Sequence, residues 1–291
     1  MISGIGWRAV LGCSCLIASS GCSSEPSPTP SSELRVGTSI VDDAGVEVVL
    51  EVPPMRILSL VPSATEILVA LGQFDRLVGR TDFDVEGPVS VLPSVGGGLG
   101  PSMERVVSLA PDLVIRFRAE SDPTTAQQLD ARGIVHLAIR PDGIEDVRRI
   151  IRLLGSVVGV PSQADSLNGA IQAELDEVST RVGGAARPRV AFLSGDPPSV
   201  AGPNTFLHEL VERAGGVNAF ADIGALYAQI SVEEVLRREI DMILTPEGTP
   251  IPETLERIAV RRVPLAVLTP GIHVGASARV LATLLHPERF P

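Results

Sequence analysis

The chain has 291 residues, 44% hydrophobic and 20% charged, so it is long enough for one large or two ordinary domains and apolar enough for a packed core. Its net charge is −11, and its 24 basic residues, all Arg, form no block, which excludes a face that tracks nucleic-acid phosphates. All three cysteines fall at or before position 22, leaving none downstream for a disulfide or a metal.

Residues 1–22 read as a targeting segment: Arg8, a mostly apolar run over 9–18 too short to span a bilayer, then Ser19-Ser-Gly-Cys22. This tetrapeptide resembles a bacterial lipobox whose Cys22 would carry lipid, with Ser19 where Leu is usual. Cys13, Cys15 and an ordinary cleaved signal remain as alternatives. Residues 23–33 alternate Pro with Ser and Thr and read as an extended tether. Beyond it we expect an amino-terminal lobe over 34–160, a linking helix over 161–184 and a carboxy-terminal lobe over 185–291.

The body opens with a hairpin, 36–41 and 46–52, turning at Asp42-Asp-Ala-Gly45. Residues 57–61 form a short apolar strand led by Arg56. Pro62 ends it, and Ser63-Ala-Thr-Glu66 has the spacing of a capping box for a helix that closes at Gly72. A strand follows at 77–79, then a Gly-rich loop, Gly96-Gly-Gly-Leu-Gly100, which lacks the spacing of a phosphate-binding motif. Then come a helix capped by Ser102, strand 113–115, helix 124–132, strand 135–139 and helix 144–158. Residues 161–182 carry the longest helical pattern, on the order of 30 Å. The second half repeats the alternation: strand 189–193, a loop over 194–205, helix 206–214, helix 232–238, strand 242–244, helix 252–259, strand 265–268 and helix 278–285. The expected fold class is α/β, two lobes with mostly parallel sheets joined by a long helix, with a cleft between them.

An internal repeat supports two lobes. Residues 102–115 align without gaps onto 231–244, and Ser, Glu, Val and Asp recur in step. Each copy reads as capped helix, break, strand. Glu104 and Glu233 share the second helical position, where an acid complements the helix dipole.

Several strands end in Arg or its neighbours: Arg80 after 77–79, Arg116, Phe117 and Arg118 after 113–115, and Arg140 after 135–139. Ser194, Thr245 and Thr269 hold the corresponding places in the second half. In parallel sheets these ends converge on one rim, where arginines suit an anionic ligand. The alternative is that they pair with Asp82, Asp84, Glu120 or Asp142, or face solvent. Enzyme chemistry finds no support. Ser63 is outside a Gly-x-Ser-x-Gly elbow, the four His are scattered, and no HExxH or Cys/His cluster supplies a metal site.

The stretches 56–72, 91–115 with its Leu-Pro-Ser-Val-Gly-Gly, and 231–244 resemble the class III solute-binding proteins of ABC importers, and the likeness extends from residue 34 to the carboxy terminus. The resemblance implies a binding protein, not an enzyme. It would be monomeric, lipid-anchored, periplasmic or otherwise extracytoplasmic, and would deliver a cobalamin, haem or ferric-siderophore type ligand to a permease dimer. It implies no resident cofactor, any iron or cobalt arriving inside the ligand. It carries Glu104 and Glu233 over as the permease-docking pair, and Phe83, Phe117 and Tyr227 as aromatics lining the cleft. Gly97-Gly98 and Ile272-His273 stand where further aromatics are expected, which weakens cobalamin and favours an anionic ferric chelate. Haem stays open, with Tyr227 or His273 as its iron ligand, and so does a sensing lipoprotein that keeps the fold but does not transport.

Overall fold

Every parallel strand pair needs a long crossover, and this chain supplies a helix or an extended loop for each. The computed structural model describes residues 37–85, 87–118 and 123–290. The leader, Cys22, the tether and Glu120 lie outside the described residues. Within the described part the elements run β1 (Thr38–Val41), β2 (Glu47–Leu50), β3 (Ile57–Ser59), α1 (Pro62–Ala70), β4 (Leu77–Gly79), α2 (Met103–Ser108), β5 (Leu113–Phe117), α3 (Pro123–Asp130), β6 (His136–Ile139), α4 (Ile144–Val157) and α5 (Pro161–Val182). They continue with β7 (Arg189–Ser194), β8 (Ser199–Ala201), α6 (Phe206–Arg213), β9 (Val217–Asn218), β10 (Tyr227–Gln229), α7 (Val232–Arg237), β11 (Met242–Pro246), β12 (Ala259–Val263) and α8 (Val274–Leu285).

The amino-terminal sheet is wholly parallel, in the order β4-β3-β5-β6. The hairpin β1–β2 covers its open edge. Asp43 N donates to Ala138 O at 3.0 Å, and Ala138 N donates to the Asp42 carboxylate at 2.9 Å. The carboxy-terminal sheet has a parallel centre of β9, β7, β11 and β12, extended by β8 and β10, which pair antiparallel.

Helix α5 joins the halves. Its buried stripe, Ala164, Asn168, Ile171, Leu175, Val178 and Val182, follows helical spacing. One apolar cluster takes in the stripe's apolar members, Asn168 excepted, together with β3, α1, β5 and α4 on one side and β7, α6 and α8 on the other. The two sheets therefore share a core along their backs. Two smaller clusters serve one lobe each, under α2 and α3, and under α7. The Arg279–Glu177 pair (2.5 Å) clips α8 to α5, and Arg181 lies 5.5 Å above the Phe290 ring.

Five sequence expectations are corrected. Helix α1 begins at Pro62 with Val61 as N-cap, and no side chain caps it, so Ser63 and Glu66 form no capping box. Pro62 needs no amide partner and presets the first helical φ, which moves the start forward. Ser102 stands at the N-cap of α2, but its side chain makes no capping bond. The expected helix 252–259 is a single 3-10 turn, Glu253–Leu255, followed by edge strand β12. The expected strand 265–268 is a 3-10 turn after Pro264. The loop 194–205 contains β8, which with β10 makes an antiparallel addition that the sequence reading missed.

The repeat is exact in the elements. Helix α2 and strand β5 map onto α7 and β11 with every boundary displaced by 129 (232 less 103, 237 less 108, 242 less 113, 246 less 117). The hydrogen bonds repeat as well. Arg56 Nε donates to Ala110 O and Arg189 Nε to Glu239 O, the two acceptors being the same 129 apart, at 3.0 and 2.8 Å. The Asp112 carboxylate accepts from Arg56 N, and its counterpart Asp241 accepts from Arg189 N. Each lobe thus ties the start of its first strand to the loop between its repeat helix and strand.

Packing between α4 and α5 depends on Gly155, where a Cβ would stand 2.4 Å from Ala164 Cβ. A Gly155→Val substitution should lower the unfolding free energy by about 1–3 kcal/mol by overpacking this contact, measured by urea unfolding. No loss would mean that the two helices can slide apart freely.

Candidate functional site

The carboxyl ends of β4, β5 and β6 open onto a cleft of about 790 Å3. Pro62, Ser63 and Glu66 of α1 form one wall with Phe83, Leu99 and Phe117. Arg118, Arg140 and Asp142 stand at one rim, and Leu268, Thr269 and Pro270 close it from the carboxy-terminal lobe. A second compartment of about 720 Å3 shares Pro62, Glu66, Phe83 and Thr269 with it. It is lined further by Val69, Val85, Leu265, Ile272 and His273.

Phe83 is held out over this boundary and is 70% exposed. The turn that presents it is fixed by the Asp84 carboxylate, which accepts from Thr81 N at 2.9 Å and from Thr81 Oγ1 at 2.6 Å. Phe117 ends β5 on the same face as Leu113 and Ile115 and packs partly against the shared core. Beneath it runs the Gly-rich loop. A Cβ on Gly98 would stand 2.3 Å from Leu60 O and 3.7 Å from the Phe117 ring. The backbone approaches too closely for any side chain there, so Leu99, one residue on, supplies the apolar surface.

The four expected rim arginines divide. Arg118 and Arg140 reach the cleft. Arg140 pairs with Asp142 at 2.5 Å, and its amide donates to the Asp43 carboxylate. Among the described residues no carboxylate forms an ion pair with Arg118. Arg80 does not line the cleft. Its Nε donates to Leu92 O (3.1 Å) and its NH1 to Thr81 O (2.8 Å), bracing its own loop. Arg116 is 8% exposed. The pleat of β5 sends it to the opposite face from Phe117, where its Nε donates to His136 Nδ1 at 3.1 Å and His136 Nε2 meets Asp130 at 3.0 Å. In the carboxy-terminal lobe Thr269 lines the cleft. Thr245 is fully buried with its hydroxyl unpartnered, and Ser194 is exposed.

Tyr227 lies on β10, 58% exposed. Loss of water around its phenol raises its pKa, and the negative charge of Asp142 in the other lobe raises it further. Tyr227 is thus within electrostatic reach of Asp142, but contrary to expectation it lines neither compartment of the cleft. His273 lines the second compartment at the start of α8, not the main cleft. Sequence reading missed Glu66, Leu99, Asp142, Leu268 and Pro270 as lining residues. The signals available were position after a strand end for Asp142 and, for Glu66, an acid one turn inside a helix facing the rim.

Glu104 and Glu233 are exposed in the first turns of α2 and α7. The Glu233 carboxyl is held below the usual range by hydrogen bonds from its own backbone amide and from the Ser231 hydroxyl. Arg238, 4.4 Å from the Phe220 ring and bonded to Glu234 and Asp222, fixes the end of α7.

Two α/β lobes that share a core behind and leave a cleft in front define a two-lobed binding scaffold. Residues 57–257 match the periplasmic binding protein family, and the chain belongs to it. A cobalamin-binding protein of Halobacterium salinarum is 32% identical over 214 residues, 70% of this chain. The chain spans only 57% of the length of that relative. The ABC transporter substrate-binding lipoprotein YvrC of Bacillus subtilis, itself uncharacterised, is 27% identical over 255 residues, 83% of this chain and 80% of its own. Among solved structures, the periplasmic heme-binding protein RhuT from Roseiflexus sp. RS-1 superposes with a TM-score of 0.69 at 26% identity, over 80% of this chain and 98% of that one.

Tyr227 is the only tyrosine in the chain, so tyrosinate absorbance titrates it alone. Its midpoint should lie above that of free tyrosine, and Asp142→Asn should lower it. The raised value means that folding stability is retained below the free-tyrosine pKa and falls as pH climbs from there through the midpoint of Tyr227. An unshifted midpoint in both proteins would separate Tyr227 from Asp142.

Proposed function

We propose that this chain is the solute-binding component of an ABC importer and captures a metal chelate in the cleft between its lobes. The observation that carries the reading is the division of the cleft. Phe83, Leu99, Phe117 and Leu268 offer a broad apolar surface, and Arg118 and Arg140 stand together at one rim. That combination suits a flat, apolar-faced ligand with acidic or hydrogen-bonding arms. The cobalamin-binding relative and the fold shared with a heme-binding protein support it. Because Arg80 and Arg116 are spent on their own surroundings, a tetrapyrrole fits better than a ferric siderophore, which would draw on several cations. A porphyrin needs only the main cleft. A corrinoid with its nucleotide tail would extend past Phe83 into the compartment that holds His273. Neither Tyr227 nor His273 lines the main cleft, so for haem an iron ligand from either would have to be brought in as the lobes close.

In this reading the protein does no chemistry and keeps no resident cofactor, since the metal arrives inside its chelate. It works as a monomer outside the cytoplasm, tethered by lipid at Cys22. The lipoprotein YvrC supports the anchor. Glu104 and Glu233 stand at equivalent positions of the two repeats, each on a helix that its lobe clamps in the same way, and would dock the permease dimer. The ligand closes the lobes only to the extent that it binds the closed form more tightly than the open one.

Native mass spectrometry against cyanocobalamin, haemin and ferric hydroxamate, catecholate and citrate complexes should give one retained adduct. Folded protein that retains none would sink the reading. Replacing Arg118 and Arg140 together by Ala should weaken an acidic ligand by roughly tenfold or more, since each charge-assisted bond contributes about 1.5–3 kcal/mol. Arg80→Ala should leave affinity within about twofold. Reversing charge at Glu104 and Glu233 together should abolish uptake by cells and leave ligand affinity intact. Undiminished uptake would remove the docking role.

A further inference from the structure

Helix α4 starts where the cleft ends, and its cap comes from the other lobe. Its N-cap, Gly143, has no side chain to offer the free amides of the first turn. Ile144 N instead donates to Glu209 Oε2 at 2.7 Å. Glu209 belongs to α6 of the carboxy-terminal lobe. Asp146 reaches back to accept from Gly143 N at 3.1 Å. A Cβ at residue 143 would stand 2.7 Å from Glu209 Oε1, so a glycine is what lets this carboxylate lie against the backbone. The residues just before the capped turn are Arg140, Pro141 and Asp142, which line the cleft. Five consecutive residues, 140–144, thus run from the ligand rim to a bond across the lobes.

The geometry points to Glu209 as a positioning residue: its bond to the start of α4 ties the relative orientation of the lobes to the Arg140–Asp142 rim. The bond is suited to making and breaking. It borders a polar crevice of about 340 Å3 lined by Glu145, Arg148, Gln172, His208 and Arg213, where water can replace either partner without stranding a buried charge. Movement of the rim toward a ligand then pulls on α4 and through Glu209 on α6, and rotation of the lobe pulls on the rim in return. The role of the rim in binding rests on the function proposed above, but the coupling itself does not, and it can be read without ligand.

The test is the tyrosinate titration of Tyr227 in the ligand-free full-length protein, joined to hydrogen exchange. In Glu209→Ala the Tyr227 midpoint should fall toward that of free tyrosine, as in Asp142→Asn, because the lobes no longer hold Asp142 within electrostatic reach of it. Exchange should speed by about tenfold at residues 143–146 and also rise on α6. Glu145→Gln removes the same charge from an exposed neighbouring site without touching the cap, and should leave both readouts unchanged. If Glu209→Ala does not fold, Glu209→Gln keeps an acceptor oxygen without the charge and should show the same changes in smaller measure. An unmoved Tyr227 midpoint with faster exchange confined to residues 143–146 would overturn the proposal, since the cap would then be only local. An equal shift in Glu145→Gln would also overturn it, by showing a simple charge effect. A protein that binds no chelate leaves these outcomes as informative as before.

Discussion

Burial of one face of α5 between α4 and α8 is the constraint on which the rest depends. Ile171, Leu175 and Val178 are each at least 98% buried, and burial of such side chains contributes about 1.5–3 kcal/mol apiece. Three of them already rival the net stability of a whole domain, about 5–15 kcal/mol. The lobes therefore cannot separate by drawing α5 out of the core. What movement they have is a bend in front of an intact back, with the cleft at the free end. This separates a family member with a rigid spine from a scaffold hinged on flexible strands.

The same economy governs the lobes themselves. Each ties the start of its first strand with an arginine and an aspartate to the loop of the repeated helix–strand unit. The clamps lie away from the carboxyl ends of the strands, so they fix the lobe without occupying the ligand side. They also set the directions of α2 and α7, so the positions of Glu104 and Glu233 are properties of rigid bodies. A dipole-complementing acid needs no such constraint, and the repeated clamp is the physical reason to treat the two glutamates as a pair.

The alternation of strand and helix, the length of α5 and the two-lobed plan were legible because each follows from periodicity and punctuation. The repeat was legible because Asp112 and Asp241 each accept the amide before a strand, a backbone task that recurs with the backbone, even though Ser231 caps its helix and Ser102 does not. The carboxy-terminal edge was not legible. Residues 259–263 put two arginines inside a short edge strand, where exposed charge is tolerated, and that mixture has no clean period. The site was half legible. Position after a strand end located the rim, but which way an arginine points depends on the pleat. Arg116 and Phe117 are adjacent and face opposite ways, and only the register of β5 within its sheet decides which one meets the cleft. Arg80 was lost for another reason: its neighbours are carbonyls of a loop that has no regular structure to predict.

A cleft of this kind must satisfy two opposed demands. An apolar wall alone would bind many ligands and collapse on itself in their absence. A cationic rim alone would be filled by small anions. Here one of the two rim arginines already has company: Arg140 has Asp142, and Asp43, which accepts the Arg140 amide, pairs with Arg149, while Arg118 forms no ion pair among the described residues. A ligand with acidic arms must therefore compete with resident carboxylates, and one that also covers Phe83 and Phe117 recovers the difference through buried apolar area. On the function proposed above, small anions would recover nothing and be rejected. On that reading Asp142 would be a filter as well as a partner to Arg140, and it is the same residue whose charge bears on Tyr227 from the opposite lobe.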